Sequence, residues 1–158
     1  MPRQAGVLLP LFSLRSATDW GVGEIPDLVP FARWAADAGF GMVLMLPVNE
    51  ASRGQHSPYG ALSAFAIDPV YLSIEALEDF SAAGGLDALS PEDRRLLDEV
   101  RSAPGVRWDA VRGLKGRALE AAFQGFVARE WRQKSQRARE QKQGKARRAA
   151  RSCRRASA

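Results

Sequence analysis

The chain has one cysteine, Cys153, and one histidine, His56, in 158 residues. A single thiol excludes an internal disulfide, and the two residues lie too far apart to seed a Cys/His zinc site. Nothing in the cysteine usage calls for an oxidising compartment. Long apolar runs are missing too: none reaches the roughly 18 residues of a membrane helix. AGVLLPLFSL (5–14) follows Arg3, but Pro10 interrupts it, Arg15 closes it and no small-x-small cleavage site follows, so it is not read as a signal peptide. A cytoplasmic protein is expected. Acidic residues are scarce at one end only. Residues 132–158 hold 11 of the 23 Lys and Arg and one of the 18 acids, a segment charge of +10 that leaves −5 on residues 1–131. The net +5 therefore says nothing about the body of the protein.

What is present begins with a βαβ pattern. GVLLPLFSL (6–14) reads as a strand with apolar residues on both faces, as in a parallel sheet covered on both sides. The loop RSATDWGVGEI (15–25) follows. PDLVPFARWAADAGF (26–40) reads as a helix opened by Pro26 and closed by Gly39, with Leu28, Phe31, Ala32, Ala35 and Ala38 as its buried stripe. GMVLMLPV (41–48) is a second apolar strand. A strand, a helix and a strand predict a parallel pair, with loops 15–25 and 49–69 at the C-terminal end, where α/β folds place ligands.

The second half reads as helical. Ser90 is placed to N-cap the helix beginning at Pro91, with Asp93 in capping-box position. WDAVRGLKGRALEAAFQGFVAREW (108–131) is a longer amphipathic helix with Val111, Leu114, Ala118, Ala122 and Phe126 buried, Leu119 and Phe123 beside them. One further short strand is expected at VYLSIEAL (70–77). The segment 132–158 is almost free of apolar residues and is expected to be a disordered or non-native tail, separate from a body at 1–131. So few strands cannot close a sheet, and an α/β barrel needs eight strands and about 250 residues. The pattern predicts the N-terminal portion of a (β/α)8 barrel with a helical insertion, incomplete as it stands.

Several segments together resemble the amylomaltases, the 4-α-glucanotransferases that disproportionate maltodextrins. They are GVLLPLFSL, DWGVGEIPDL, AGFGMVLMLPV, SPYGALSAFAIDPVYLS and the late helix VRGLKGRALEAAF, within about residues 5–131. The SPY…SAFA segment is the most specific. The resemblance implies transfer of α-1,4-glucan segments by retaining double displacement, with an enzyme nucleophile and an acid/base carboxylate. It implies that those carboxylates come from later barrel strands, which match nothing here, so no catalytic residue is assigned. It also implies that Tyr59 lines the sugar site next to the bond cleaved, with Ser57 and Pro58 in the same loop; Trp20 either stacks on sugar or covers the barrel rim. Phe65, Pro69 and Leu72 are expected in the core. The family commonly has an acid just before SPY, where this chain has His56.

Asp19, Glu24, Glu50 and Asp68 are the local carboxylates near the strand ends, expected to act as loop or cap residues. No metal and no cofactor is expected, and maltodextrin is the expected partner. Two other readings stand beside the transferase: a non-catalytic glucan-binding or inactive remnant, and a basic-tailed nucleic-acid-binding or assembly protein. The last rests wholly on residues 132–158, which contain no aromatic for base stacking.

Overall fold

In the computed structural model the residues described are 4–131, without Arg53 and His56, together with Lys134. The basic tail therefore lies outside the described residues apart from Lys134, as does His56.

Two strands, β1 (Gly6–Leu9) and β2 (Met42–Met45), pair in parallel with Gly6 opposite Met42 and Leu9 opposite Met45. The connection between them passes through α1 (Leu28–Asp37). A 3-10 turn at Ile25–Asp27, with Pro26 in its first turn, leads into α1. Gly39, at φ 85°, ends it. Gly39 N–H donates to Ala36 O and Phe40 N–H to Ala35 O, each at 2.9 Å, the double closure of a glycine-ended helix. The predicted first strand is shorter than expected, because Pro10 turns the chain into a 3-10 turn at Leu11–Ser13. The expected third strand at 70–77 is not formed. Pro69–Tyr71 makes a 3-10 turn in its place, with the Asp68 side chain accepting from Val70 N–H.

Three helices follow: α2 (Glu78–Ala82), α3 (Pro91–Ser102) and α4 (Trp108–Phe126), the last running on as a π turn over Val127–Trp131. Ser90 Oγ accepts from Asp93 N–H at 3.0 Å, so the predicted cap is made. The Asp93 carboxylate pairs instead with Arg117 on α4.

The hydrophobic core does not lie between the sheet and α1. It gathers Leu11, Trp20 and Val22 from the segment after β1, and Val70, Tyr71 and Ile74 from the segment after β2. Phe80 of α2, Leu97 and Val100 of α3, and Val111, Leu114, Ala118 and Ala122 of α4 complete it. Both chains leaving the strands at their C-terminal end are thus sealed by the helical layer. The strand pair is left comparatively bare: Leu8 is 60% exposed and its partner Leu44 is 54% exposed, while Val7 and Val43 on the other face are half-buried. Of the stripe predicted for α1, Ala35 is fully buried, Leu28 and Phe31 are half-buried and Ala32 and Ala38 are exposed, while Val29 and Trp34 stand exposed outside it. Strands apolar on both faces belong in sheets covered on both faces, and among the described residues nothing covers the face that carries Leu8 and Leu44.

Candidate functional site

Residues 49–68 leave β2 and return beside it as a loop closed by backbone rungs. Asn49 bridges Ile67 and Ala51 bridges Ala61, both antiparallel. Glu50 N–H donates to Ala66 O, Leu62 N–H to Glu50 O and Asp68 N–H to Val48 O. Asn49 Nδ2 adds a bond to Ala64 O at 3.0 Å. The tip carries the SPY segment. Ser57 Oγ accepts from Tyr59 N–H at 3.3 Å, a local turn that sets the direction of the tyrosine. Ser63 does the same for Phe65 at 3.1 Å.

Tyr59 is 74% exposed, Pro58 is half-buried and Ser57 is exposed. Phe65, expected in the core, is 99% exposed, and Leu62 and Ile67 stand out of the same loop. Pro69 is likewise exposed rather than core, and Leu72 is half-buried. The rungs hold the loop's legs to each other, so its apolar side chains project outward instead of packing beneath it. Trp20 is the opposite case. It is wholly buried, its ring edge-on to Phe80 at 5.8 Å, and its Nε1–H donates to Glu75 Oε1 at 3.0 Å. Its ring is enclosed by the core rather than presented at the surface.

Beneath the loop runs a charged layer that the hydrophobic patterning does not announce. Asp19 accepts from Ser16 N–H at 2.6 Å, Gly21 N–H at 2.7 Å and Arg15 Nε at 2.9 Å, so it braces the glycine loop as expected. Gly23 is required there, since a Cβ would stand 2.1 Å from Leu11 O and 2.4 Å from Leu14 O. Glu24 accepts from Trp20 N–H and from Lys115 Nζ, the latter at 2.7 Å. Lys115 also donates to Val70 O at 2.7 Å and Leu72 O at 2.8 Å, so one ammonium joins α4 to the segments after both strands. Both side chains are almost completely buried. Burial pushes the Glu24 carboxyl above its ordinary range and the Lys115 ammonium below its own, while their mutual attraction works against both shifts. Burial also pushes the Tyr71 hydroxyl up to about 12. Arg101 of α3 donates to Asp19 O at 2.8 Å and pairs with Glu75 at 2.6 Å.

Lys115 carries a signal in the sequence. Together with Val111, Ala118 and Ala122 it falls on one helical face, and a cation within an apolar stripe implies a buried partner. Glu75, Arg101 and Arg112 sit at surface-like positions and carry no such signal.

Between the loop and α4 lies a cleft of about 590 Å³, lined by Glu50, Ala51, Gly54, Asp68, Asp109 and Arg112 among others. Of the predicted contact residues, neither Ser57, Pro58, Tyr59 nor Trp20 lines it. Asp19, Glu24 and Asp68 are each engaged in structural bonds. A retaining mechanism needs two carboxyls about 5–5.5 Å apart and free to reach the sugar. Of the four local carboxylates, Glu50 and Asp68 line the cleft, and Asp68 has both oxygens held by Arg112. Among the described residues no group of three His, Cys, Asp or Glu is placed to hold a metal ion.

A family model described as 4-alpha-glucanotransferase matches residues 9–152. The chain belongs to the 4-alpha-glucanotransferase family. It is 42% identical over 98 residues to the 4-alpha-glucanotransferase DPE2 of Oryza sativa subsp. japonica, an overlap of 60% of this chain and 10% of the relative. Its identity to the 4-alpha-glucanotransferase of Chlamydia caviae is 32% over 127 residues, 80% of this chain and 23% of that one. To the Chlamydia trachomatis 4-alpha-glucanotransferase it is 36% over 114 residues, 70% of this chain and 20% of the relative. The chain thus spans between a tenth and a quarter of the length of these curated relatives. The family match takes in the loop, the charged layer beneath it and α4 together. Among the described residues, no helix is long and apolar enough to cross a membrane.

Proposed function

We propose that this chain is part of a 4-α-glucanotransferase that moves α-1,4-glucan segments between maltodextrins, and that its share of the work is substrate binding. The observation that carries the reading is the exposed SPY loop, standing at the C-terminal end of a parallel strand pair inside a chain of this family. Tyr59 offers a flat apolar face and a hydroxyl, the combination that suits a pyranose. Ser57 and Pro58 fix its approach. On this reading β1, α1 and β2 are the opening unit of a (β/α)8 barrel, and the bare face of the strands meets later elements of that barrel. The nucleophile and acid/base belong to those later elements.

The chain alone is then a glucan-binding piece without transferase activity, a reading favoured by the structural engagement of Asp19, Glu24 and Asp68. The nucleic-acid reading has no support from the body, whose charge is −5 over residues 1–131.

A segment exchange tests the proposal. Residues 9–131 replace the matching segment of the Chlamydia caviae relative, and maltotriose disproportionation is followed as release of glucose and longer dextrins. The expected result is an active chimera whose KM rises on Tyr59→Ala, while the 158-residue chain alone releases no glucose. A folded chimera indifferent to Tyr59→Ala would overturn the assignment of the loop.

A further inference from the structure

The loop 49–68 has a weakness. Its exposed apolar side chains, Tyr59, Leu62, Phe65 and Ile67, do not anchor it, and among the described residues its backbone rungs join its own two legs. Among the described residues, the side-chain bonds that tie it to α4 converge on one carboxylate. Asp68, itself 2% exposed, closes the loop's base. Its Oδ1 accepts from Val70 N–H at 3.0 Å and its Oδ2 from Ala51 N–H at 3.4 Å, so it touches both legs. Arg112 of α4 grips both oxygens, Nη1 to Oδ1 at 2.9 Å and Nη2 to Oδ2 at 2.6 Å. The guanidinium lies 5.8 Å from the Trp108 ring centroid, and Trp108 meets Phe12, from the segment after β1, edge-on at 5.4 Å. Arg112 Nε is buried without a hydrogen-bond partner, so the guanidinium holds this pose at the expense of one donor.

We propose that Arg112 is a positioning residue: through the two-pronged bond to Asp68 it fixes the loop 49–68 on α4 and so sets where Tyr59 stands. What Tyr59 then meets rests on the glucan reading above; the clamp itself does not. A planar fork with two parallel bonds holds direction as well as distance, which a lysine at the same place cannot do. Helix α4 is in turn pinned to both strand exits by Lys115. The loop's orientation is therefore referred to the core rather than to the neighbouring coil.

Hydrogen exchange on the full chain, read by mass spectrometry, separates positioning from bulk stability. In Arg112→Met the amides of residues 50–66 should exchange about tenfold faster, while those of α3 and α4 keep their wild-type rates. Arg112→Lys should lie between the two. Asp68→Asn keeps an oxygen for Val70 N–H but loses the charge, and should loosen the same amides. Unchanged loop exchange in all three variants would overturn the proposal. So would acceleration spread equally over loop and helices, the mark of a merely structural role. Selective loosening combined with no binding of maltoheptaose to the wild type would leave the clamp standing and count against the glucan reading alone.

Discussion

Replacing Lys115 by methionine probes the buried layer most sharply. The substitution keeps the length of the side chain and removes its charge. It strips Glu24 of its ion partner at 2.7 Å and leaves Val70 O and Leu72 O without the donor that now satisfies them. Breaking a buried pair by removing one partner costs about 3–5 kcal/mol, because an uncompensated charge stays behind. That is a large part of the roughly 5–15 kcal/mol that holds a domain together. Urea unfolding followed by tryptophan fluorescence measures it, since Trp20 is wholly buried in the same core. The midpoint should fall with little change in slope. Glu24→Gln in the same chain removes the stranded charge and should recover part of the loss.

The pH dependence fixes the cause. Glu24 already titrates above its ordinary 4.5 because of burial, so its share of stability is fully present below pH 4.5 and is lost as pH rises through the folded value. Without Lys115 the folded value rises further. The deficit of Lys115→Met relative to wild type should therefore be smallest below pH 4.5 and grow with pH above it. A loss under about 1 kcal/mol at neutral pH, or a deficit that does not vary with pH, would refute this account of the pair.

Three further outcomes follow from the same geometry. Gly23→Ala should unfold the chain or cost about 3 kcal/mol or more, since its Cβ would meet backbone oxygens at 2.1 and 2.4 Å that cannot yield; an unchanged thermal melt would contradict this. Hydrogen bonding from Arg117 lowers the Asp93 carboxyl below 3.8, so the stability this pair contributes is present above pH 3.8 and lost as pH falls through the folded value; Asp93→Asn should differ from wild type at neutral pH and converge with it in acid melts. Exchanging Leu8 and Leu44 for lysine should reduce self-association in sedimentation runs, because the pair forms an exposed apolar face on an open sheet.

Element type is legible in this sequence wherever local chemistry decides it. The proline and glycine bounding α1, the Ser90 cap of α3 and the helical spacing of Val111, Leu114, Ala118 and Ala122 each act within a turn or two and appear in the fold, whereas Phe126, expected on the same buried stripe, is exposed. Burial is less legible, because it depends on partners distant in the chain. The apolar strands look like core and stand half-bare, whereas the glycine loop with Trp20 looks like surface and is core. Phe65 is aromatic and nevertheless fully outside, since the rungs of its loop turn it away from the helices. VYLSIEAL has strand-like residues, but Pro69 and the Asp68 cap favour a 3-10 turn that buries Val70 and Tyr71. At the site, the SPY loop and the bracing role of Asp19 and Glu24 are readable from residue type and turn chemistry. The Arg112–Asp68 bond joins residues 44 positions apart and has no local trace.

On the proposed reading the Tyr59 loop forms part of an α-glucan cleft. Titration calorimetry of maltoheptaose into the chain, beside Tyr59→Ala, measures this. Tyr59 is largely exposed, so its removal should shift folding stability by no more than about 0.5 kcal/mol. Part of a cleft should bind with a Kd of about 1 mM, or about 4 kcal/mol. The wild type should give heat of binding in that range and Tyr59→Ala none, with both proteins melting alike. No binding at concentrations well above that constant, or binding that Tyr59→Ala leaves untouched, would contradict it.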